Sequence, residues 1–556
     1  MKNNVEEEMK KQKLFSKNPV IINFFIVLAL ILIFYIIIIR QHGIIYQMND
    51  DIALRAISSG KYTGKPTFYM IFSGFPYSTL LVLLYKITNK IDWYGLILIL
   101  LMMFYLCYTI YSIIRTKKDT FKKVIDTTLI LSVVAILFNR FFIELTFTSV
   151  SAFIVICCLI LYLLPDAKLK NIIMTIGIVL SLGIRLKSCL MILVFFVPAL
   201  FYKNYGNKEG LKKDFILGIK IGIILLICII IDKSFYTDAN WKEYLAYNNL
   251  RSLYYDYYYK TIENLPIETS TEIFHNAGFD DKEMELLRSY GGIAFYDDIP
   301  SKMEALIEQC KSHNLKLNSD LKVTLRHTFG TIQVPCYVVT LVLIAYLIIS
   351  SSDKKGKILT VLPFIILQLI ILIYLIRGGR ILDRVMVPLY TCYVVTNMYI
   401  ILQEEKSRKV VDKFFDCDKV VITILVMLIF ILSMGIDIDN TNLVLANKGN
   451  MMLQYFEEHP KNFYIYDNNY LAKFEFFNKY STPNYINMSG WTAYAPIHEE
   501  AIKNQGANSL KELLFKDNVY MVLNSTDVEK YQNLDLNTKI EEVDSIEEFH
   551  IYKFTK

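Results

Sequence analysis

Two adjacent carboxylates, Asp50 and Asp51, follow closely on the apolar run Val20–Ile39, in the stretch QMNDDIALRAISSGKYTG. A carboxylate at a membrane surface can take a proton from a hydroxyl, the work of a general base. A second set of residues is basic. Arg140 ends one apolar segment, Arg185 and Lys187 lie in GIRLKS, and Arg377, Arg380 and Arg384 lie in RGGRILDR. Taken singly, they read as side chains snorkelling from helix ends towards lipid phosphates. Taken together they come from three separate turns, and guanidinium forks at headgroup depth suit a phosphate-bearing lipid. With a carboxylate close by, such a pocket fits attack of a hydroxyl on a sugar attached to a lipid phosphate. The carboxylate helps to remove the hydroxyl proton, and the cations meet the charge growing on the leaving phosphate.

Those residues need elements to hold them. The chain has 556 residues, 54% of them hydrophobic, and a mean hydropathy of +0.36. That apolarity suits a helical polytopic membrane protein rather than a single soluble domain. The net charge of +6 reads as membrane-surface bias and gives no nucleic-acid footprint. About eleven transmembrane helices are predicted: Val20–Ile39, Trp93–Ile114, Val124–Phe138, Leu145–Leu164, Ile172–Ile184, Ser188–Tyr202, Phe215–Ile231, Val334–Ile349, Ile358–Ile376, Val385–Leu402 and Val420–Met434. Tyr77–Ile87 is too short to span and is expected to lie in the interface. Alternating spans from a cytoplasmic N-terminus puts the basic loops Arg115–Lys123, Lys203–Lys213, Asp353–Lys357 and Lys406–Lys413 inside. The carboxylate pair and the odd basic residues then fall outside, in a multi-pass protein of a bacterial plasma membrane.

The transmembrane domain is expected over 1–434. It includes an external loop 40–92, with the Asp pair and the interfacial helix, and an external helical loop 232–333. Residues 435–556 are expected to form a small extracytoplasmic α/β domain, because NFYIYDN, NVYMVLN and FHIYKF alternate like strands around helical stretches such as SLKELLF. The first apolar run is too long for a signal-peptide core and reads as a retained anchor. The nine cysteines show no CxxC and the seven histidines no metal spacing, so no metal site or disulfide framework is indicated.

Other residues invite two readings. Asn49 and the Asp pair suit a helix start, with acidic groups at its positive end, and Asp51 and Arg55 are spaced to pair. Arg251, Asp256 and Tyr257, in the run YNNLRSLYYDYYYK, suit an acceptor groove in which sugar rings stack on aromatics, or plain loop packing. Trp491, in MSGWTAYAP, suits either a sugar contact or an anchor on the membrane surface.

The acidic pair after the first span, the interfacial helix ending in LLYKI, and DWYG opening the second span resemble the GT-C superfamily of integral-membrane glycosyltransferases. Within it the chain is similar to bacterial multi-pass proteins with NDD…SG.YTG.P (here Asn49–Asp51, Ser59–Gly60 and Tyr62–Pro66), W.EYL.YN..R (Trp241–Arg251), GR…RV..P (Gly379–Pro388) and GW…P (Gly490–Pro496). The resemblance implies an inverting transfer from a polyprenyl-phosphate-linked sugar to a glycan, lipid or protein acceptor. It makes Asp50 or Asp51 the base and assigns the lipid phosphate to Arg185 and Arg384 first. Some members of the superfamily use a divalent metal; with no further carboxylates clustered near the pair, no obligatory metal or other cofactor is expected here. A glycan polymerase or ligase taking a lipid-linked oligosaccharide is the alternative enzyme. A transporter or a non-catalytic envelope protein is the alternative from another class, although no repeat is visible and the spans are nearly free of acids.

Overall fold

The computed structural model describes residues 19–115, 120–165, 169–315, 325–326, 328–330, 333–351, 353–378, 381–403, 440–467, 475–477, 484–524, 527–531 and 538–556. Every predicted span except Val420–Met434 falls on a helix, and that one lies outside the described residues. The helices are α1 (Pro19–His42), α2 (Asn49–Ser59), α3 (Tyr77–Ile87), α4 (Trp93–Ile114), α5 (Thr120–Phe138), α6 (Phe147–Leu163), α7 (Lys170–Ile184), α8 (Leu186–Lys203) and α9 (Lys208–Ser234). After the loop helix α10 (Ala239–Leu253) come α11 (Gln333–Ser350), α12 (Lys354–Gly378) and α13 (Asp383–Leu402).

Among the described residues seven helices are long and apolar enough to cross a membrane: α1, α4, α8, α9, α11, α12 and α13. The other predicted spans fall on helices that are shorter or carry charge at one end. The fifteen residues of α7 rise only about 22 Å, short of a hydrocarbon core of about 30 Å. α6 is fully buried among its neighbours, and α5 opens on the charged Lys122, Lys123 and Asp126. The outer helices turn large apolar side chains outward, among them Phe215, Ile223 and Leu226 of α9 and Ile370 and Ile373 of α12. In water such faces would aggregate; against lipid they are solvated. Specific polar links join the helices inside the bundle, such as Ser151 with Ser181 and Asn397 with both Gln368 and Thr340. Asn23 of α1 accepts from Lys123 Nζ at 2.7 Å and ties α1 to α5.

Around 440–556, α14 (Asn440–Glu458) lies beside a five-stranded sheet of order β5-β3-β6-β8-β7. Its strands are β3 (Phe463–Tyr466), β5 (Tyr485–Asn487), β6 (Val519–Asn524), β7 (Lys539–Ile546) and β8 (Phe549–Thr555). β3 runs parallel to both β5 and β6, and β8 runs antiparallel to both β6 and β7. Met452, Leu453 and Phe456 of α14 pack on Tyr464, Val522, Phe549 and Ile551. A second, three-stranded sheet joins three distant pieces of chain. β1 (Ile45–Tyr46) pairs in parallel with β2 (Glu144–Leu145) and antiparallel with β4 (Glu475–Phe476). That sheet pins the segment before α2 to the turn before α6 and to the tail.

Candidate active site

The start of α2 is the centre of the site. The helix starts where expected, but its N-cap is Met48, which makes no side-chain cap, and Asn49, Asp50 and Asp51 all lie in the first turn. The two carboxylates face different surroundings. Asp51 is 0% exposed, and its Oδ1 accepts from the Tyr94 hydroxyl and from the Phe147 backbone amide, each at 2.8 Å. Its Oδ2 has no hydrogen-bond partner among the described residues. Burial pushes the Asp51 carboxyl up from 3.8 to about 7 against the pull of those two hydrogen bonds, and the charge of Asp50 adds to the rise. Asp50 is only half-buried and makes no hydrogen bond or ion pair among the described residues.

Three turns from distant parts of the chain meet at this helix start. Before α6, Arg140 pairs with the fully buried Glu144 and reaches Asp383 at 3.2 Å. Glu144 also accepts from Gln47 Nε2 at 3.3 Å and from Asn442 Nδ2 of α14 at 2.6 Å. Between α7 and α8, Arg185 lies over the rings of Phe72 (4.8 Å) and Phe147 (5.2 Å), and donates to the Phe72 carbonyl at 3.4 Å. Before α13, Arg384 reaches Met48 Sδ at 2.9 Å, and its carbonyl accepts from Ser149 Oγ at 3.3 Å. Phe147 is the hinge of the group: its amide holds Asp51 and its ring carries Arg185.

A buried ion pair supports α2 from beneath. Arg55 Nε meets Asp92 Oδ2 at 2.6 Å, so Arg55 pairs with the residue capping α4 and not, as its spacing suggested, with Asp51. The local i,i+4 pairing loses because Asp51 is already held on the opposite side by Tyr94 and Phe147. The Tyr46 and Tyr85 hydroxyls also donate to Asp92, at 2.9 and 3.3 Å. Burial works against the charge of Arg55, but Asp92 with Tyr46 and Tyr85 more than offsets it and holds the guanidinium above its ordinary range.

The remaining sequence candidates scatter. Lys187 and Arg377 are exposed and make no hydrogen bond or ion pair among the described residues; Arg380 lies outside them. Arg251 donates to Asn248 at 2.9 Å and lies 6.0 Å from the Tyr255 ring, and Asp256 accepts from Ser252 at 2.6 Å. Tyr257 is half-buried, while its neighbours Tyr254 and Tyr258 are buried and Tyr255 stacks on Tyr290 at 4.3 Å, so the tyrosine run largely packs the loop. Trp491 is only 4% exposed, which rules out its reading as a membrane-surface anchor; its ring lies 4.9 Å from Phe72 and its carbonyl accepts from Tyr244. Asp92, Tyr94 and Glu144 were missed as members of the site. The signals were an acid opening the second span and an acid embedded in the apolar FFIELTF. Among the described residues no group of three His, Cys, Asp or Glu side chains is placed to hold a metal ion.

No protein-family model matches the chain, and no curated protein matches it by sequence. A similar solved structure is the crystal structure of ArnT from Cupriavidus metallidurans bound to undecaprenyl phosphate. It is 10% identical, with a TM-score of 0.40, over 95% of this chain and 97% of that one. A likeness that loose assigns no role to any residue.

Proposed function

We propose that this multi-pass membrane protein is a glycosyltransferase that moves a sugar from a polyprenyl-phosphate donor to an acceptor hydroxyl, with inversion at the sugar carbon. The observation that carries the reading is the unpartnered carboxylate of Asp50 on a helix start that Asp51 fixes to Phe147, the residue over whose ring the guanidinium of Arg185 lies. Asp50 is the base, because it is the member of the pair that a hydroxyl can reach; Asp51, wholly buried and already holding two donors, is a positioning residue. The acceptor oxygen forms a bond to the anomeric carbon as the bond to the phosphate oxygen breaks. The acceptor proton goes to Asp50, and the bonding pair leaves on the polyprenyl phosphate. Arg185 and Arg384 face that growing charge, with Arg140 held behind them by Glu144 and Asp383. The motif resemblance to GT-C enzymes supports the same reading. The donor enters from the lipid, which accounts for carboxylates at a membrane surface.

The test is lipid extraction and mass spectrometry from a deletion strain carrying no copy, the wild type, or Asp50→Asn. Accumulation of a polyprenyl-phosphate sugar in the deletion and in Asp50→Asn alone, with the variant protein at normal level in membranes, is the expected result. A wild-type lipid and glycan profile in Asp50→Asn overturns the reading.

A further inference from the structure

The other end of α2 bears a second cationic feature that the transfer reaction does not use. The helix closes on Gly60, whose φ of 84° is left-handed, and whose amide donates to the Ile57 carbonyl. A Cβ at Gly60 would stand 2.6 Å from the carbonyl carbon of Lys65, so only glycine lets the chain double back here. The reversal, together with the end of α3, encloses a cleft of about 450 Å³ lined by Gly60, Lys61, Gly64, Lys86, Thr88 and Asn89, among others.

Its charge is unbalanced. Lys61 is half-buried and Lys86 exposed, and neither makes a hydrogen bond or ion pair among the described residues. Burial, and then the Arg55 guanidinium, push the Lys61 ammonium well below the usual lysine range. Two carboxylates favour the charge: Asp92, which is already bonded to Arg55, Tyr46 and Tyr85, and, more weakly, Glu457, which does not line the cleft. Lys65 in the same turn is taken by Glu500 at 2.8 Å. An anion seated between Lys61 and Lys86 would favour the charged form of Lys61 and pair with Lys86. The cleft volume is larger than a lone phosphate needs and suits a phosphodiester with its glycerol.

The depth of the anion follows from α3. Leu83 and Ile87, one helical turn apart, are 56% and 77% exposed, and Lys86 stands beside them in the last turn. A short helix with a bare apolar stripe next to lysines lies in the plane of a membrane interface, its lysines at phosphate level. We infer that the cleft between the end of α2 and the end of α3 binds a phosphate group carried by an anionic membrane phospholipid, with Lys61 and Lys86 on the phosphate and Leu83 and Ile87 among the acyl chains. This site is separate from the one around Asp50 and stands without the transferase reading.

Native mass spectrometry of the full chain, released from nanodiscs holding equal phosphatidylglycerol and phosphatidylcholine, tests it. The wild type is expected to retain phosphatidylglycerol in preference. Lys61→Met and Lys86→Met each reduce that retention roughly tenfold, the loss expected for one charge-assisted hydrogen bond, and Lys61→Arg restores it. Since Lys86 is exposed, its variant keeps the test valid even where Lys61→Met folds poorly. A parallel arm adds millimolar inorganic phosphate. Failure of phosphate to displace the lipid supports the lipid source, and displacement by phosphate in the wild type but not in Lys61→Met overturns that source in favour of a soluble phosphate. Equal phosphatidylglycerol retention by the wild type and Lys86→Met, both folded, overturns the site.

Discussion

Asp51 accepts a hydrogen bond of 2.8 Å from the backbone amide of Phe147, 96 positions further along the chain. Through that one bond the helix carrying both carboxylates is registered against the ring on which Arg185 lies. Removing a reacting group and removing a group that only holds it should therefore have different consequences. Asp50→Asn is expected to lower transfer by about 100-fold or more, the usual scale for losing a general base, with unchanged thermal stability. Asp51→Asn keeps an acceptor for Phe147 and Tyr94, so transfer falls by roughly tenfold or less. The measurement is consumption of a polyprenyl-phosphate sugar by reconstituted protein. A larger loss in Asp51→Asn than in Asp50→Asn would exchange their roles.

The raised carboxyl of Asp51 also sets a pH dependence. Its value goes from 3.8 to about 7 on folding, so between those limits the folded state binds more protons than the unfolded chain. The stabilisation is full below the unfolded value and is lost as pH rises through the folded one. Asp51→Asn cannot titrate. Its thermal midpoint relative to wild type should therefore be higher at pH 8 than at pH 5, read by unfolding in detergent micelles. A relative midpoint that is flat across this window would mean that Asp51 is ionised at both ends.

The helices were legible because apolar runs bounded by lysine clusters have one physical solution in a bilayer, and the strands of the tail because FYIY, VYMVLN and FHIYKF are short runs rich in β-branched and aromatic residues. The two carboxylates were legible as types. Which of them is buried was not, since that depends on Tyr94 and on the Phe147 amide, and a backbone amide leaves no mark in side-chain spacing. Arg55 misled for the same reason: an i,i+4 acid is visible in sequence, whereas Asp92 comes close only after α2, α3 and the start of α4 have packed. Glu144 illustrates the opposite case. An acid within FFIEL needs partners to be buried at all, and Arg140, Gln47 and Asn442 supply them from three regions of the chain.

Arg185 combines a charge with a flat surface. Its guanidinium lies 4.8 Å from the Phe72 ring centre and 5.2 Å from that of Phe147, which fixes the plane of its donors. Lysine keeps the charge but has neither the plane nor the fork. Arg185→Lys is expected to lower kcat/KM for the polyprenyl-phosphate donor by roughly tenfold or more, with little change for the acceptor. Equal effects on both substrates would place Arg185 in general support of the fold instead of at the phosphate.

The Arg55–Asp92 pair is the clearest structural liability under the site. Both side chains are almost wholly buried, and Asp92 serves Tyr46 and Tyr85 as well. Arg55→Met leaves a buried carboxylate facing two hydroxyls, and Asp92→Leu leaves a buried guanidinium without the Asp92 charge. Each is expected to cost about 3–5 kcal/mol, because an uncompensated charge in a low-dielectric interior is the expensive state. The double variant removes both charges, so its loss should be smaller than the sum of the two and close to that of one alone. A double-mutant cycle on thermal or denaturant unfolding measures the difference. Additive losses would show that the two side chains act on stability independently, and that α2 is held chiefly by the contacts of Asp51.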